Sequence, residues 1–555
     1  MNVTCLNYKD TGYFSKTVID YLNNDPELRS FYSYRPDIDG FAELLKNKQV
    51  IANREVLVSV LRKQYGFQES KNPEARKSGT ELNFSPLVGE GGLEDINLER
   101  VKTSISLLKL TNTYTITTGH QLNIFAGPLY FIYKIVTAVK LSRQLKKAFP
   151  DQNFVPVYWM ASEDHDFAEI NYTNIGGKKV HWWYEASGAT GRINPDTMRQ
   201  ALNQYKGALG IDGHASELAA IVEHAYTKYD KLADATRYLV NALFGQCGLV
   251  VINADDHQFK KQFLPVMEHD IIEQNSFKNI TRTNEALQKK GVPIQVNPRE
   301  INFFYLLDGL RERLVFEKGR YRVINTEFSF SEAELKNEIN QFPERFSPNV
   351  VMRPLYQECI LPNIAYIGGG AEIIYWLELK STFEHYKIDF PILVLRNSGL
   401  VIDKKTASKI AGMNLTPEDL FKSADTIKNN WIKKHSEHDL SLLNEWNELS
   451  AVFEKIKQRA LAIDSTLAPS TDAVQARLKR ALDNLEKKLI KVEKRNYHTR
   501  LEQVEQVKAA LFPKDSLQER LENFGLFYVK YGRLFLEELI NNFEPLDFKF
   551  TVLTE

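Results

Sequence analysis

The chain has 555 residues, too many for one hydrophobic core, so several domains or large insertions are expected. Lys plus Arg equals Asp plus Glu at 71 each, which removes the global charge that nucleic-acid or anionic-membrane binding draws on and points to small-molecule or protein partners. A hydrophobic share of 43% and a charged share of 26% exclude wholesale disorder and fibrous classes.

Residues 1–13 show no basic stretch leading into an apolar one, and no apolar run approaches the roughly 18 residues that span a bilayer, so a cytoplasmic protein is expected. Residues 1–112 read as a mainly helical elaboration, broken by a Gly/Pro-bearing loop at 86–92. The first clear strand, 113–118 (TYTITT), is rich in β-branched residues and passes through a turn into a helix at 129–149. The run 154–161 (FVPVYWMA) lacks alternation, which suits a parallel sheet covered on both faces. Runs at 249–254 (LVVINA), 350–355 and 391–395 (PILVL) repeat that character. Five buried strands separated by helices predict an α/β fold on a doubly wound parallel sheet.

Core parts at 113–180, 231–291 and 346–400 alternate with insertions at 181–230 and 292–345. The first insertion opens on His181, Trp182, Trp183 and Tyr184 and then turns helical. The second has short alternating strands around a Glu317, Lys318, Gly319 turn, and Ser331 and Glu334 have capping-box spacing for a helix to about Phe342. Residues 401–555 read as a helical domain. Within it Leu442, Trp446, Leu449, Phe453, Ile456, Ala460 and Ile463 follow 4,3 spacing, and after a break near Pro469 the residues Leu478, Leu482, Leu485, Leu489 and Val492 repeat it. That pattern predicts a coiled-coil hairpin over about 437–511, closed on itself or paired with a second copy as a homodimer.

Ligands of open parallel sheets bind beyond the carboxyl ends of the strands, so the residues after each strand carry the functional expectation. After the first come Gly119, His120, Gln121 and Asn123, then Gly127 and Pro128 opening a helix whose free N–H groups suit an anion. After the second come Glu163, Asp164, His165 and Asp166, and after the third Asn253, Asp255, Asp256 and His257. Acids so placed hold an ammonium, orient a histidine or bind a hydrated metal, and a histidine near pKa 6.5 takes a proton from an amine. Each alone also has a structural reading, such as an Asp that caps a helix. Gly368, Gly369 and Gly370 allow close backbone approach to a ligand, with Glu372 in the following first turn. Arg353, Gln357, Arg396 and Asn397 add polar groups at further strand ends. There is neither a dinucleotide fingerprint nor a P-loop. Cys5, Cys247 and Cys359 are scattered, without C-x-x-C spacing or basic neighbours that would activate a buried thiol, so no disulfide, zinc site or thiol nucleophile is expected, and no metal is assigned.

The segments 117–130 (TTGHQLNIFAGPLY), 156–170 (PVYWMASEDHDFAEI) and 353–379 (RPLYQECILPNIAYIGGGAEIIYWLEL) closely resemble the bacillithiol biosynthesis cysteine-adding enzymes, the cysteine ligase family, over nearly the whole chain. The resemblance implies a Rossmann-type core with two connecting-peptide insertions and a coiled-coil dimerisation domain, similar in plan to class I aminoacyl-tRNA synthetases. It implies that the carboxyl group of cysteine is joined to the amino group of glucosaminyl malate, giving bacillithiol. An adenylated cysteine is then the natural intermediate, which would put ATP phosphates near the Gly127 helix. Two departures leave ATP use open: the turn holds one histidine, His120, where synthetases carry a HIGH motif, and the nearest KMSKS-like stretch is 404–409 (KKTASK). The implied roles are His120 and Asn123 on an activated carboxyl or phosphate, Asp164 and Asp166 on an ammonium, His165 as base, and Arg353 or Arg396 on a malate carboxylate. Two other readings compete: an adenylate-forming nucleotidyltransferase acting on another acid, and a non-catalytic coiled-coil scaffold.

Overall fold

The computed structural model describes residues 1–67 and 98–555, and the loop read at 86–92 lies outside the described residues. Five strands, β1 (Thr113–His120), β2 (Asn153–Met160), β3 (Val250–Asn253), β4 (Asn363–Gly368) and β5 (Ile392–Leu395), form one parallel sheet in the order β5-β4-β1-β2-β3. This is the doubly wound Rossmann order, and the winding reverses between β1 and β4. The apolar character of 154–161 has the expected cause. Val155, Val157 and Trp159 pack into one core with Phe263, Tyr356 and Leu377, while Tyr158 and Met160 pack into another with Ile132, Val136 and Leu239. Successive side chains go to opposite faces, and both faces are covered.

Four helices frame the carboxyl edge of this sheet. Helix α1 (Leu129–Ala148) follows β1, α2 (His257–Glu273) follows β3, α3 (Arg353–Ile360) precedes β4, and α4 (Gly370–Tyr386) follows it. The strand expected at 350–355 is not one: α3 begins there, with Pro354 in its first turn, where a missing N–H costs nothing. The strand is the next apolar run, Asn363–Gly368, so Arg353 and Gln357 reach the site from a helix rather than from a strand end.

A separate five-stranded antiparallel sheet runs Ser329–Phe330, Arg320–Val323, Leu310–Glu317, Phe303–Leu307, Phe346–Pro348. Its hairpin turns at Lys318 (φ 52) and Gly319 (φ 77), the left-handed pair that a two-residue turn requires, and the Ser331/Glu334 capping box is present on helix Glu332–Gln341. A third sheet places Lys549–Thr554 between Asn2–Asn7 (antiparallel) and Gly399–Ile402 (parallel). Helices α5 (Leu443–Ile463) and α6 (Leu467–Asn496) lie against each other as the hairpin. The next helix, His498–Leu511, returns to the main body, where Val504, Val507 and Leu511 are buried in the core. Among the described residues no helix is long and apolar enough to cross a membrane.

Candidate active site

A cavity of about 530 Å³ opens at the switch point between β1 and β4. Gly119, His120 and Gln121 form one wall, Asp164 and His165 the next, and Arg353, Gln357 and Glu372 come from α3 and the start of α4. The antiparallel sheet closes over it and contributes residues the sequence reading missed, chiefly Arg311, Arg313 and, just before the sheet, Arg299. Four guanidiniums therefore face two carboxylates, Asp164 and Glu372, in a cavity of a chain with no net charge. The local surplus favours a polyanionic ligand.

Asp164 is the hub. It lies 3.6 Å from Arg353 Nη2 and 4.0 Å from Arg311 Nη1, and Gln121 Nε2 donates to it at 3.3 Å. Burial pushes its carboxyl up, but the Arg353 and Arg311 charges outweigh that and hold it below the usual carboxylate range. Its charge serves first to aim two arginines. Arg311 also bonds Ser347 Oγ (3.1 Å) and sits 3.9 Å from the Phe304 ring centroid, and burial lowers it to about 10, so it stays protonated at neutral pH. Its Nη1 lies 2.5 Å from His165 Nδ1. A guanidinium only donates, so His165 Nδ1 accepts and Nε2 carries the proton. Burial and then the Arg311 charge lower the His165 pKa. The geometry thus makes His165 a hydrogen-bond donor to the cavity rather than the base expected from its position. Asp166 does not reach the cavity; its amide donates to Asp164 at 3.5 Å and its side chain is exposed.

His120 is half-buried between the rings of Tyr130 and Phe131, with Nε2 unpartnered. Burial, then the Lys134 and Arg396 charges, pulls its pKa well below 6.5, so it is neutral at physiological pH and offers no charge to a phosphate. Lys134, on α1, is a second group the sequence reading missed. Its ammonium is buried, paired with Glu372 Oε2 at 2.6 Å and donating to Gly119 O at 2.8 Å, so it ties the end of β1 to the start of α4. Glu372 also takes the Gly369 N–H (2.6 Å) and the Tyr366 hydroxyl (3.2 Å), which explains a glutamate three residues into a glycine-opened helix. Lys260, on α2, repeats the device under the other edge: buried, 2.5 Å from Glu163 Oε1 and donating to Phe346 O at 2.7 Å. Burial opposes both charges, raising Glu163 and lowering Lys260, and each partner offsets it for the other. Glu163 is therefore taken and not open to substrate. In sequence, a lone lysine inside LYFIYKIVTAV is the one signal that pointed to Lys134.

Several expected residues are engaged elsewhere. Asn253 accepts from Ser162 Oγ (2.5 Å), Asp255 is held by both Arg192 Nε (2.7 Å) and Nη2 (2.9 Å), and Asp256 caps α2. Arg396 is buried against Glu519 (2.7 Å) and Ser398, and Asn397 bonds Thr137. Gln357 does face the cavity, while its amide donates to Glu358 at 2.9 Å. Gly368 and Gly370 let β4 run into α4 without lining the cavity. The α1 N-terminus, expected to receive phosphate after Gly127, is closed: Leu129 N donates to Glu522 O at 2.7 Å, and Asn523 Nδ2 donates to Phe125 O and Gly127 O at 2.8 Å each. Phe125, Ala126 and Gly127 all have positive φ (54°, 61° and 54°), a strained turn that these bonds hold. Asn123 donates to Glu169 O (3.1 Å) on the far side of Gln121.

Comparison with known proteins agrees with this architecture. Residues 1–83 and 92–397 match the family model described as "Bacillithiol biosynthesis BshC, N-terminal Rossmann-like domain", and residues 399–555 match "Bacillithiol biosynthesis BshC, C-terminal coiled-coil domain". Relatives named "Putative cysteine ligase BshC" include one from Flavobacterium johnsoniae, 42% identical with 100% of both chains covered, and one from Christiangramia forsetii, 38% identical over 100% of this chain and 99% of that one. A Bacillus mycoides relative of the same name is 25% identical over 97% of each chain.

Proposed function

The chain belongs to the bacillithiol biosynthesis BshC family, and from that premise we propose that it is the cysteine ligase that acts on glucosaminyl malate, forming bacillithiol in the last step of its biosynthesis. The observation that carries the substrate is the arginine surplus of the switch-point cavity. Malate brings two carboxylates, and Arg353 and Arg311, aimed by Asp164, suit one of them by paired N–H donation. Arg299 and Arg313, exposed at the mouth and without salt bridges among the described residues, suit the second. The sugar amine then lies toward Asp164 and Gln121, where a carboxylate accepts its N–H, and neutral His120 and the His165 Nε2–H line the same cavity.

Forming an amide from a free acid needs an activated carboxyl. ATP is the activating substrate we assign. The closed α1 N-terminus argues against a synthetase-like phosphate site there, and the KMSKS-like stretch lies on helix Lys404–Gly412, outside the cavity lining. The α5–α6 hairpin keeps Val452, Ile456, Val474, Leu485 and Val492 exposed, an apolar stripe that supports a homodimer through this domain.

The deciding assay incubates purified protein with cysteine, glucosaminyl malate and ATP and reads bacillithiol by mass spectrometry, beside the thiol profile of cells lacking the gene. Product in vitro and accumulated glucosaminyl malate in those cells are expected. Neither appearing would remove this reading in favour of an adenylate-forming enzyme for another acid.

A further inference from the structure

A second cavity of about 270 Å³ lies on the other side of Gln121 from the arginine-lined one. Gln121 is the partition: its Nε2 donates both to Asp164 Oδ2, in the first cavity, and to Glu169 Oε2 (2.6 Å), in the second. The second cavity carries one anion and one cation, Glu169 and Arg520, and neither forms a salt bridge among the described residues. Asn123, which also lines this cavity, spends its Nδ2 on Glu169 O and so fixes the backbone at the glutamate. At the other end the Arg520 guanidinium lies near Tyr130, whose ring packs on His120 at 5.3 Å, so this end backs onto the same turn that walls the first cavity. Tyr172 and Leu521 supply an apolar flank between the two ends.

We infer that this cavity binds a free α-amino acid as its zwitterion, with the ammonium on Glu169 and the carboxylate on Arg520; resting on the reading above, that amino acid is cysteine. One carboxylate and one guanidinium without ion-pair partners match the two charged groups that every free amino acid carries and that neither malate nor a phosphate carries together. The small volume excludes a nucleotide or a sugar conjugate and leaves the larger cavity for them. Gln121 then stands between the amino acid and the sugar amine.

Arg520 and Glu169 are exposed, so their variants keep the fold. In the bacillithiol assay, Arg520→Met and Glu169→Gln are expected to raise KM for cysteine at least tenfold while KM for glucosaminyl malate stays within twofold of wild type. N-acetylcysteine and cysteine methyl ester, each lacking one charge, are expected to inhibit wild-type protein at least tenfold more weakly than serine, which keeps both. Cysteine KM values within twofold of wild type in both variants would overturn the inference and leave the proposed function standing. If the wild-type protein makes no bacillithiol, calorimetric titration with L-cysteine and L-serine decides the site alone. Heats lost in Arg520→Met support it, and equal or absent heats in wild type and variant overturn it.

Discussion

Arg396 and Arg353 look alike in sequence, each a lone arginine beside an apolar run of the core, yet they have opposite fates. Arg396 is buried, its Nη2 is 2.7 Å from Glu519, a carboxylate with no exposure at all, and its Nη1 serves Asn397 O and Ser398 Oγ. Arg353 is 23% exposed, stands 3.6 Å from Asp164 and faces the cavity. The difference is the strap of chain at 517–523. Gln518, Glu519, Glu522 and Asn523 fill the groups beyond β5 and the start of α1 with carboxylate, carbonyl and amide partners that an anionic substrate would otherwise find. An arginine at the carboxyl edge of the sheet is a binding group only where the rest of the chain has not already answered it.

The sharpest way to break that contrast is Arg396→Met, which leaves Glu519 charged and buried without its partner. A loss of about 3–5 kcal/mol is expected in urea unfolding, with little change in KM for the fraction that folds. Arg353→Met should do the reverse. Loss of a charge-assisted bond to substrate, about 1.5–3 kcal/mol, raises KM for glucosaminyl malate by roughly ten- to a hundredfold with the unfolding midpoint nearly unmoved. A stability loss from Arg353→Met as large as that from Arg396→Met would erase the distinction. The smallest effect concerns pH. His120 is held well below 6.5 by burial, Lys134 and Arg396, so the unfolded chain binds a proton there that the folded one refuses. Its contribution to stability is full above pH 6.5 and is lost as pH falls below it, by up to about 1.4 kcal/mol per unit. His120→Gln should flatten that part of the stability profile between pH 6.5 and 5, and an unchanged acid slope would show that His120 is protonated in the fold.

The parallel sheet was legible because strands covered on both faces read as unbroken apolar runs, as β2, β3 and β5 do, while β1 showed through its β-branched threonines. The misplaced strand at 350–355 shows the limit of that rule: VVMRPL is as apolar as a strand, but Pro354 fits a first helical turn equally well, and only packing of Leu355 and Tyr356 into the core decides. In the site, His120, Asp164, His165, Arg353 and Glu372 were visible as polar residues breaking apolar runs. Lys260 was not, because a lysine in an amphipathic helix ordinarily faces water, and although the apolar run around Lys134 marks it as buried, nothing local reveals for either lysine a glutamate arriving from another element. Arg299, Arg311 and Arg313 were hidden for a related reason: they belong to an inserted sheet, and which of its faces meets the core is a tertiary fact. The hairpin seam was plain from its spacing, while the return of His498–Leu511 into the core was not, since Val504, Val507 and Leu511 continue a helical period that a coiled coil also allows.

The small sheet that joins the two ends of the chain has a consequence in time. Asn2–Asn7 is made well before its hydrogen-bonding neighbour, Lys549–Thr554, the middle strand of that sheet, which follows more than five hundred residues later. At about 5–20 residues per second the first strand waits on the order of half a minute to two minutes with an open edge. Once made, Gly399–Ile402 lacks its partner as well, for roughly the last quarter of that interval. A chain cut short before residue 549 would therefore carry two unpaired strands at once, a defect easily sensed by the proteases and chaperones that patrol nascent proteins.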